Sequence, residues 1–578
     1  MSSDSTQRSQ WVQDRPATSR APRADLLLDG RSLTVKETAA AARRPKAWRV
    51  ALSDGAVHRM KRSVDLKNAI VDSGQRVYGV TSGFGDSNTR QISPRKVEAL
   101  QANLIRGFNC GLGPAASPEV VRATVIARAN CLARGNSGIR PEVVQLLLDC
   151  LEQDILPVVP ERGSVGASGD LVPLSYLGAM LTGHGTVLHR GEARPAAEAL
   201  AEEGLEPVVL ASKEGLALVN GTSFMAGFAV LALRDATELA FAADLCTALA
   251  SQVLNGNPRH FDPFVFDHKP HPGTADSART VRRLLGRLGD GPYEGDQDGG
   301  PADPMPDGTG YRRLAEAVQD RYSIRCAPHV NGVLRDTLAF AADWTHVEIN
   351  SSNDNPLFDA DAGVVVNGGN FYGGHIGQAM DSLKTAVASV GDLLERQLQL
   401  VVDEKYNNGL TANLIPRFPD DSWEAGLHHG FKSLQLAASS LVAEALKLTM
   451  PATSFSRSTE AHNQDKVSMG TIAARDARTV VELVREVAAI HLLALCQAAD
   501  LRGPERLSGP TAAVHASVRA VSPVLDRDRG MERDIALVAE LIGAGRLREA
   551  GGGAGGAGRP GAPPPRRPPG GGGGGRAR

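Results

Sequence analysis

The segment Phe228–Leu254, FAVLALRDATELAFAADLCTALASQVL, places the tightest limit on what this chain can fold into. It is rich in alanine and leucine and apolar on more than one face. A helix of that kind cannot lie on a surface with one side in water; other helices have to enclose it. Two further segments repeat the helical spacing. From Leu383 the apolar residues fall at 383, 387, 390, 394, 398 and 401, and Leu434–Met450 follows the same pattern and stops at Pro451. Strand signals are few and short, such as GVVVN at 363–367. The spacing predicts a mainly α protein with a central bundle of long helices.

Size and charge exclude several classes. A chain of 578 residues has room for two or three domains or one large helical body. Its 63 Lys+Arg and 65 Asp+Glu nearly cancel, so no global field favours nucleic acid or an anionic membrane. Aromatic residues, at 4%, are too scarce for base-stacking platforms. The six cysteines are scattered without a Cys-x-x-Cys pair and read as reduced thiols. The polar N-terminus has no apolar signal core, and the uncharged run 215–233 is broken by NGTS. A soluble cytoplasmic protein is expected. Residues 1–24 and the Gly/Pro/Arg tail at 549–578 read as disordered, and 289–310 as a long loop.

The stretch GSVGASGDLVPL, 163–174, carries the first sign of chemistry. Small residues followed by an acid and an apolar run suit a helix start, with Ser168 or Asp170 as the cap. A nucleophile elbow does not fit, because the residue two after Ser168 is Asp170 rather than glycine. The third reading is cyclisation. The nitrogen of Gly169 attacks the Ala167 carbonyl, which needs a residue without Cβ and small neighbours that permit a very tight turn. Loss of water closes the ring, and dehydration of Ser168 leaves an exocyclic methylidene. That product is the electrophile 4-methylideneimidazole-5-one.

The same stretch, extended as GSVGASGDLVPLSYLGAMLTGHG, resembles the signature of the aromatic amino acid ammonia-lyase and 2,3-aminomutase family. Six more segments resemble the family in the family's order: YGVTSGFGD from Tyr78, KEGLALVNGTSFM from Lys213, QDRYSIRCAPHVNG from Gln319, NSSNDNPL from Asn350, GGNFYGGH from Gly368 and EAHNQDKVSMGT from Glu460. The resemblance spans roughly residues 25–500. It implies an ammonia-lyase-like fold with a ring-bearing N-terminal domain at 25–225, the long-helix bundle at 226–510 and a C-terminal helical segment at 511–548. It also implies a homotetramer with active sites shared between chains, acting on a small aromatic amino acid.

By that resemblance Ala167, Ser168 and Gly169 form the prosthetic group, with no external cofactor and no metal. Tyr78 is the base for the barely acidic β-proton. A tyrosine needs tuning by donors or positive charge for that work, or acts through a small ionised fraction. Arg325 holds the substrate carboxylate with its two-pronged guanidinium, and Tyr322, one helical turn earlier, assists proton movement. Asn220 and Asn355 support developing charge, Phe371 packs on the prosthetic ring, and Gly85 lies in the tyrosine loop among the substrate-binding residues. Glu460 and Gln464, four apart, are expected on one helix face toward the amine. A helix beginning at DLVPLSYL would turn its positive end to the ring. His329, where the family has glutamine, is either a titratable group of the site or a structural variant.

Substrate choice is read from two places. Gln464 stands where the histidine branch of the family has glutamate. Gly107 and Phe108 stand where the ring-contacting pair is expected, and neither is a histidine. These residues predict phenylalanine, tyrosine or a substituted analogue as substrate, with histidine disfavoured. Elimination to the arylacrylate is the expected outcome. Return of the amine to the β-carbon, giving a β-amino acid, is the alternative, and catalytically dead scaffolding is the reading from outside enzymology.

Overall fold

The computed structural model describes residues 23–286, 310–311 and 317–552. The helices that build and hold the site are, in chain order, α1 (Val97–Phe108), α2 (Pro118–Ala133), α3 (Leu171–Leu181), α4 (Glu214–Val219), α5 (Ser223–Val253), α6 (Ala327–Ile349), α7 (Gly374–Val402), α8 (Lys432–Lys447) and α9 (Gly470–Arg502). At 31, 29 and 33 residues, α5, α7 and α9 each run ~45–50 Å. They pack on one another, α6 adds to α7 and α5, and α8 lies along α9 and α7.

The composition of α5 explains its place. Nearly every residue from Ser223 to Val253 is buried, because small alanines on all sides let neighbours close in without polar groups to satisfy. Glycine permits the tightest contacts: a Cβ on Gly391 of α7 would sit 2.8 Å from Val484 of α9. α8 behaves differently. It buries only Leu434, Ala438, Val442 and Ala445, a single stripe, and leaves Leu436 and Leu446 exposed. Pro118 and Pro141 open helices at positions where their missing N–H costs nothing.

Strands are peripheral. Ala24–Leu28 pairs in parallel with Trp48–Leu52, and short antiparallel pairs join 112–115 to 160–162 and 155–157 to 186–189 to 192–195. The GVVVN segment supplies Val364–Val366, paired with Leu357–Asp359. One hydrophobic core runs from Leu26 to Leu547 and takes in all the long helices.

The predicted mainly α bundle is thus observed. α5 runs unbroken through residue 225, where a domain boundary was expected. The N-terminal extension lies outside the described residues up to residue 22, and Ala24 already belongs to a strand. The 289–310 loop, apart from Gly310, and the tail from 553 also lie outside them. Ahead of that tail, Gly509–Arg519, Glu532–Gly543 and Arg546–Ala550 are helical, and Leu547 is buried. No helix of the described residues is long and apolar enough to cross a membrane.

His491, in the buried middle of α9, is a liability of this packing. Neither ring nitrogen has a partner among the described residues. Burial drives its pKa down to about 3. Below the ordinary pKa of about 6.5 the unfolded chain binds a proton that the folded chain refuses. His491 should therefore cost ~1.4 kcal/mol of stability per pH unit as the pH falls from about 6.5 towards 3. Denaturation of His491→Leu across that window should show a shallower acid slope than the unsubstituted chain; parallel slopes would refute it.

Candidate active site

The 163–170 stretch is a cramped loop, because glycines carry its backbone through left-handed conformations. Gly166 has φ +66° and Gly169 φ +72°. A Cβ on Gly169 would lie 2.0 Å from the Gly221 carbonyl oxygen, and one on Gly166 would lie 2.1 Å from Ser468 Oγ. The loop is fastened on both sides. Ser468 and Met469 N–H donate to the carbonyls of Gly166 and Val165 at 3.1 and 3.0 Å, and Asp170 N–H donates to Gly221 O at 2.7 Å. The Ser168 carbonyl accepts from Asn220 Nδ2 at 2.9 Å and Gly221 N–H at 3.3 Å.

Asp170 is the buried anchor. Its carboxylate accepts from Ser164 Oγ at 2.9 Å, from Met225 N–H at 2.8 Å and from Thr471 Oγ1. Burial pushes its pKa up to about 6, against these hydrogen bonds, which pull it down. It thereby joins the N-termini of α3, α5 and α9 at the loop. Sequence reasoning anticipated the first of those helix ends. It missed the other two, and with them Ser164 and Thr471; the hydroxyls flanking GASGD and VSMG were the only available signal.

A cavity of about 270 Å³ opens over the loop. It is lined by Tyr78, Gly85, Phe108, Ala167, Ser168, Asn220, Asn355, Phe371, Glu460 and Gln464, with Phe84, Leu104, Leu171, Leu216, Asn463, Asp465 and Lys466. Gly169 is continuous with it through the loop. Gly107 is not part of it: the residue is exposed at the end of α1, and a Cβ there would meet nothing. Tyr322 and Arg325 are not part of it either. They line a second cavity of about 550 Å³ with Arg321, Lys405, Tyr406 and Asn408. Within one chain the expected carboxylate binder is therefore separate from the ring-forming loop.

The Tyr78 hydroxyl accepts the Gly85 N–H at 2.8 Å. Burial raises its pKa above the ordinary 10. The Gly85 N–H works against that rise, and the Glu460 carboxylate adds to it. One donor is thus in place, but the phenol is not tuned toward neutrality by this chain. Glu460 presses against Gly85, where a Cβ would fall 1.7 Å from its Oε1.

The expected helix under Glu460 and Gln464 is not there. Glu460, Ala461 and His462 have φ of 53°, 50° and 64°, and Thr459 and Gln464 exchange backbone hydrogen bonds at 2.9 and 3.3 Å. A hairpin turn, not an i,i+4 face, brings both side chains to the cavity. Thr459 Oγ1 donates to Gln464 Oε1 at 3.0 Å, which turns the Gln464 amide nitrogen to Ser168 Oγ at 3.2 Å. Asn355 accepts the Gly368 N–H at 2.8 Å and so holds the turn that carries Phe371. His329 lies outside both cavities, against the Phe266 ring at 5.5 Å; burial, then Lys269 and His271, lower its pKa.

The loop fits cyclisation. Gly169 has the required positive φ and no room for a side chain, two donors hold the Ser168 oxygen, and Asn220 Oδ1 is buried without a partner among the described residues.

Comparison with known proteins points the same way. The model of the aromatic amino acid lyase family matches residues 33–520. A histidine ammonia-lyase of Gloeobacter violaceus is 42% identical over 528 residues, covering 91% of this chain and 97% of its own. One from Sorangium cellulosum is 40% identical over 529 residues, covering 90% and 98%. The crystal structure of the Trypanosoma cruzi histidine ammonia-lyase superimposes with a TM-score of 0.81 at 34% identity, covering 91% and 95%. These relatives overturn the expectation of a phenylalanine or tyrosine ammonia-lyase. That expectation rested on Gln464, Gly107 and Phe108. Gly107 does not reach the cavity, and a glutamate, Glu460, stands beside Gln464 in it.

Ser168→Ala should fold but lack the near-ultraviolet absorbance of the conjugated ring. Superimposable spectra of the two proteins would mean that no ring forms.

Proposed function

The chain belongs to the aromatic amino acid lyase family, and on that premise we propose that it removes ammonia from L-histidine without oxidation, leaving urocanate. The histidine specificity named for its relatives, which align over nearly their whole length, carries the reading. The family builds 4-methylideneimidazole-5-one from its own chain, and no external cofactor is required. Formed from Ala167, Ser168 and Gly169, that ring would supply an electrophilic carbon, the chemistry that turns an amine into a better leaving group.

The rest falls to side chains. Asn220 Nδ2 and the Gly221 N–H already point at the Ser168 oxygen, and preorganised donors of this kind stabilise negative charge without reorganising. The three helix N-termini around Asp170 favour the same sign of charge. Leu104, Phe108 and Leu216 offer an apolar wall to the flat face of the substrate ring. Glu460 offers an acceptor to the ammonium or to an imidazole N–H, and Asn463 Nδ2 orients it with a hydrogen bond at 3.1 Å. Tyr78 takes the β-proton onto its phenolic oxygen, which the Gly85 N–H holds in place.

The carboxylate needs a cation. Arg325 fits that role by its forked geometry, but it lies in the second cavity of the same chain. We propose that it serves the 270 Å³ cavity of another copy, as the family's tetrameric assembly allows. Such a copy would also add positive charge to the cavity of Tyr78, beside the Lys466 that this chain places there.

Incubation with L-histidine should give urocanate and ammonia; failure to turn over L-histidine would overturn the assignment. Tyr78→Phe should lower kcat by about 10²–10⁴-fold and abolish the rise of kcat with pH that phenolate formation gives the unsubstituted enzyme. Co-expression of Arg325→Ala chains with Ser168→Ala chains should restore activity that neither has alone; no recovery would mean the site is not shared.

A further inference from the structure

Beneath the ring-forming loop lies a cation that none of these steps uses. Arg128, in the last turns of α2, is fully buried. It makes no ion pair with a carboxylate among the described residues. Instead Nη2 donates to the carbonyl of Ala217, in the last turn of α4, and Nη1 to Asn353 Oδ1 at 3.2 Å. Asn353 is fixed in turn, its Nδ2 donating to Thr222 Oγ1 at 2.7 Å.

Gly221 is wedged between this guanidinium and the loop. On one side, a Cβ at Gly221 would fall 2.1 Å from Arg128 Nη1 and 2.5 Å from Asn353 O. On the other side, the Gly221 carbonyl oxygen blocks any Cβ on Gly169 at 2.0 Å and accepts the Asp170 N–H at 2.7 Å. Its own N–H donates to Ser168 O at 3.3 Å. The order in space is guanidinium, Gly221, then the tripeptide.

We propose that Arg128 is a positioning residue for cyclisation: its forked guanidinium braces Gly221 as a rigid floor that keeps the 167–169 loop bent. Ring closure forms a bond from the Gly169 nitrogen to the Ala167 carbonyl carbon. The carbonyl oxygen leaves as water with the amide protons of Gly169 and Ser168. Ser168 then loses its hydroxyl and α-proton as a second water. No oxidant or other reactant is needed; what the step needs is an amide nitrogen pressed onto a carbonyl two residues back. A floor that could recede would let the loop relax. An unbranched apolar side chain would fill much of the same volume without the cost of burying a charge. Only arginine supplies two donors in a fixed fork, one to the end of α4 and one to Asn353.

The test reads the ring rather than turnover, so its failure leaves the histidine assignment standing. Full-length Arg128→Lys and Arg128→Met are expressed in a pulse-chase. Intact mass reports cyclisation as the loss of two waters, near-ultraviolet absorbance reports the ring, and circular dichroism and Tm report the fold. Arg128→Lys, which keeps the charge but not the fork, should cyclise about ten-fold more slowly per folded chain, and Arg128→Met more slowly still. A residue that serves only the fold would lower Tm and leave every folded chain two waters lighter at the normal rate. That result in either variant overturns the proposal. If Arg128→Met does not fold, Arg128→Lys decides alone.

Discussion

A buried carboxylate ties the molecule together at the point where its chemistry begins. Asp170 follows the tripeptide directly and accepts hydrogen bonds from Ser164, the Met225 N–H and Thr471. Those partners belong to the loop, to α5 and to α9, so the ends of two of the longest helices are referenced to one side chain. The arrangement has a cost. Its pKa, pushed up from the ordinary 3.8 to about 6, means that the folded state holds the proton more tightly than the unfolded one. The associated stability is present below about pH 3.8 and is lost as the pH rises through about 6, a penalty of ~3 kcal/mol at neutrality. The bundle offsets it with burial along α5, α7 and α9. The return is a loop that cannot slide, because its two ends are gripped by different helices.

The division of the site that we propose between copies follows from the same bundle. Long helices running together carry their functional ends far apart: the ring-forming loop sits at the N-termini of α5 and α9, while Tyr322 and Arg325 precede α6 beside Lys405 and Tyr406, just beyond the C-terminus of α7. A helix of about 30 residues is longer than the site it serves, so one chain cannot fold both ends onto a single amino acid. The proposed assembly of several copies would bring the two ends together, and α8 and α6 carry exposed apolar residues, Leu436, Leu446, Val333 and Val347.

The long helices were legible because burial imposes periodicity. Phe228–Leu254, Leu383–Val401 and Leu434–Met450 each declared themselves by spacing, and each falls on a helix, although the second starts earlier, at Gly374, and the third ends earlier, at Lys447. The lining of the cavity was legible for a different reason: Tyr78, Asn220, Asn355, Phe371, Glu460 and Gln464 sit in recognisable motifs, and all of them line it. What could not be read is what depends on conformation outside regular elements. Glu460 and Gln464 suggested a helix face, but a turn with consecutive left-handed residues places them. The brace of Arg128 was invisible, because a lone arginine in an alanine-rich helix has no local signature. Its meaning comes from Asn353 and Gly221, far away in sequence.

Substrate choice is the sharpest case of that limit. Apolar contact with a ring separates aromatic side chains weakly, whereas a placed hydrogen-bond partner separates them strongly. The polar atoms that face the cavity come mainly from one hairpin, 459–466, and not from the end of α1, where Gly107 points away. A glutamine for a glutamate at 464 therefore does not remove the carboxylate from the cavity: Glu460 remains, oriented by Asn463 and seated where Gly85 has no side chain. On the proposed reading selectivity belongs to the hairpin as a unit, so a single position within it says little until its backbone is known.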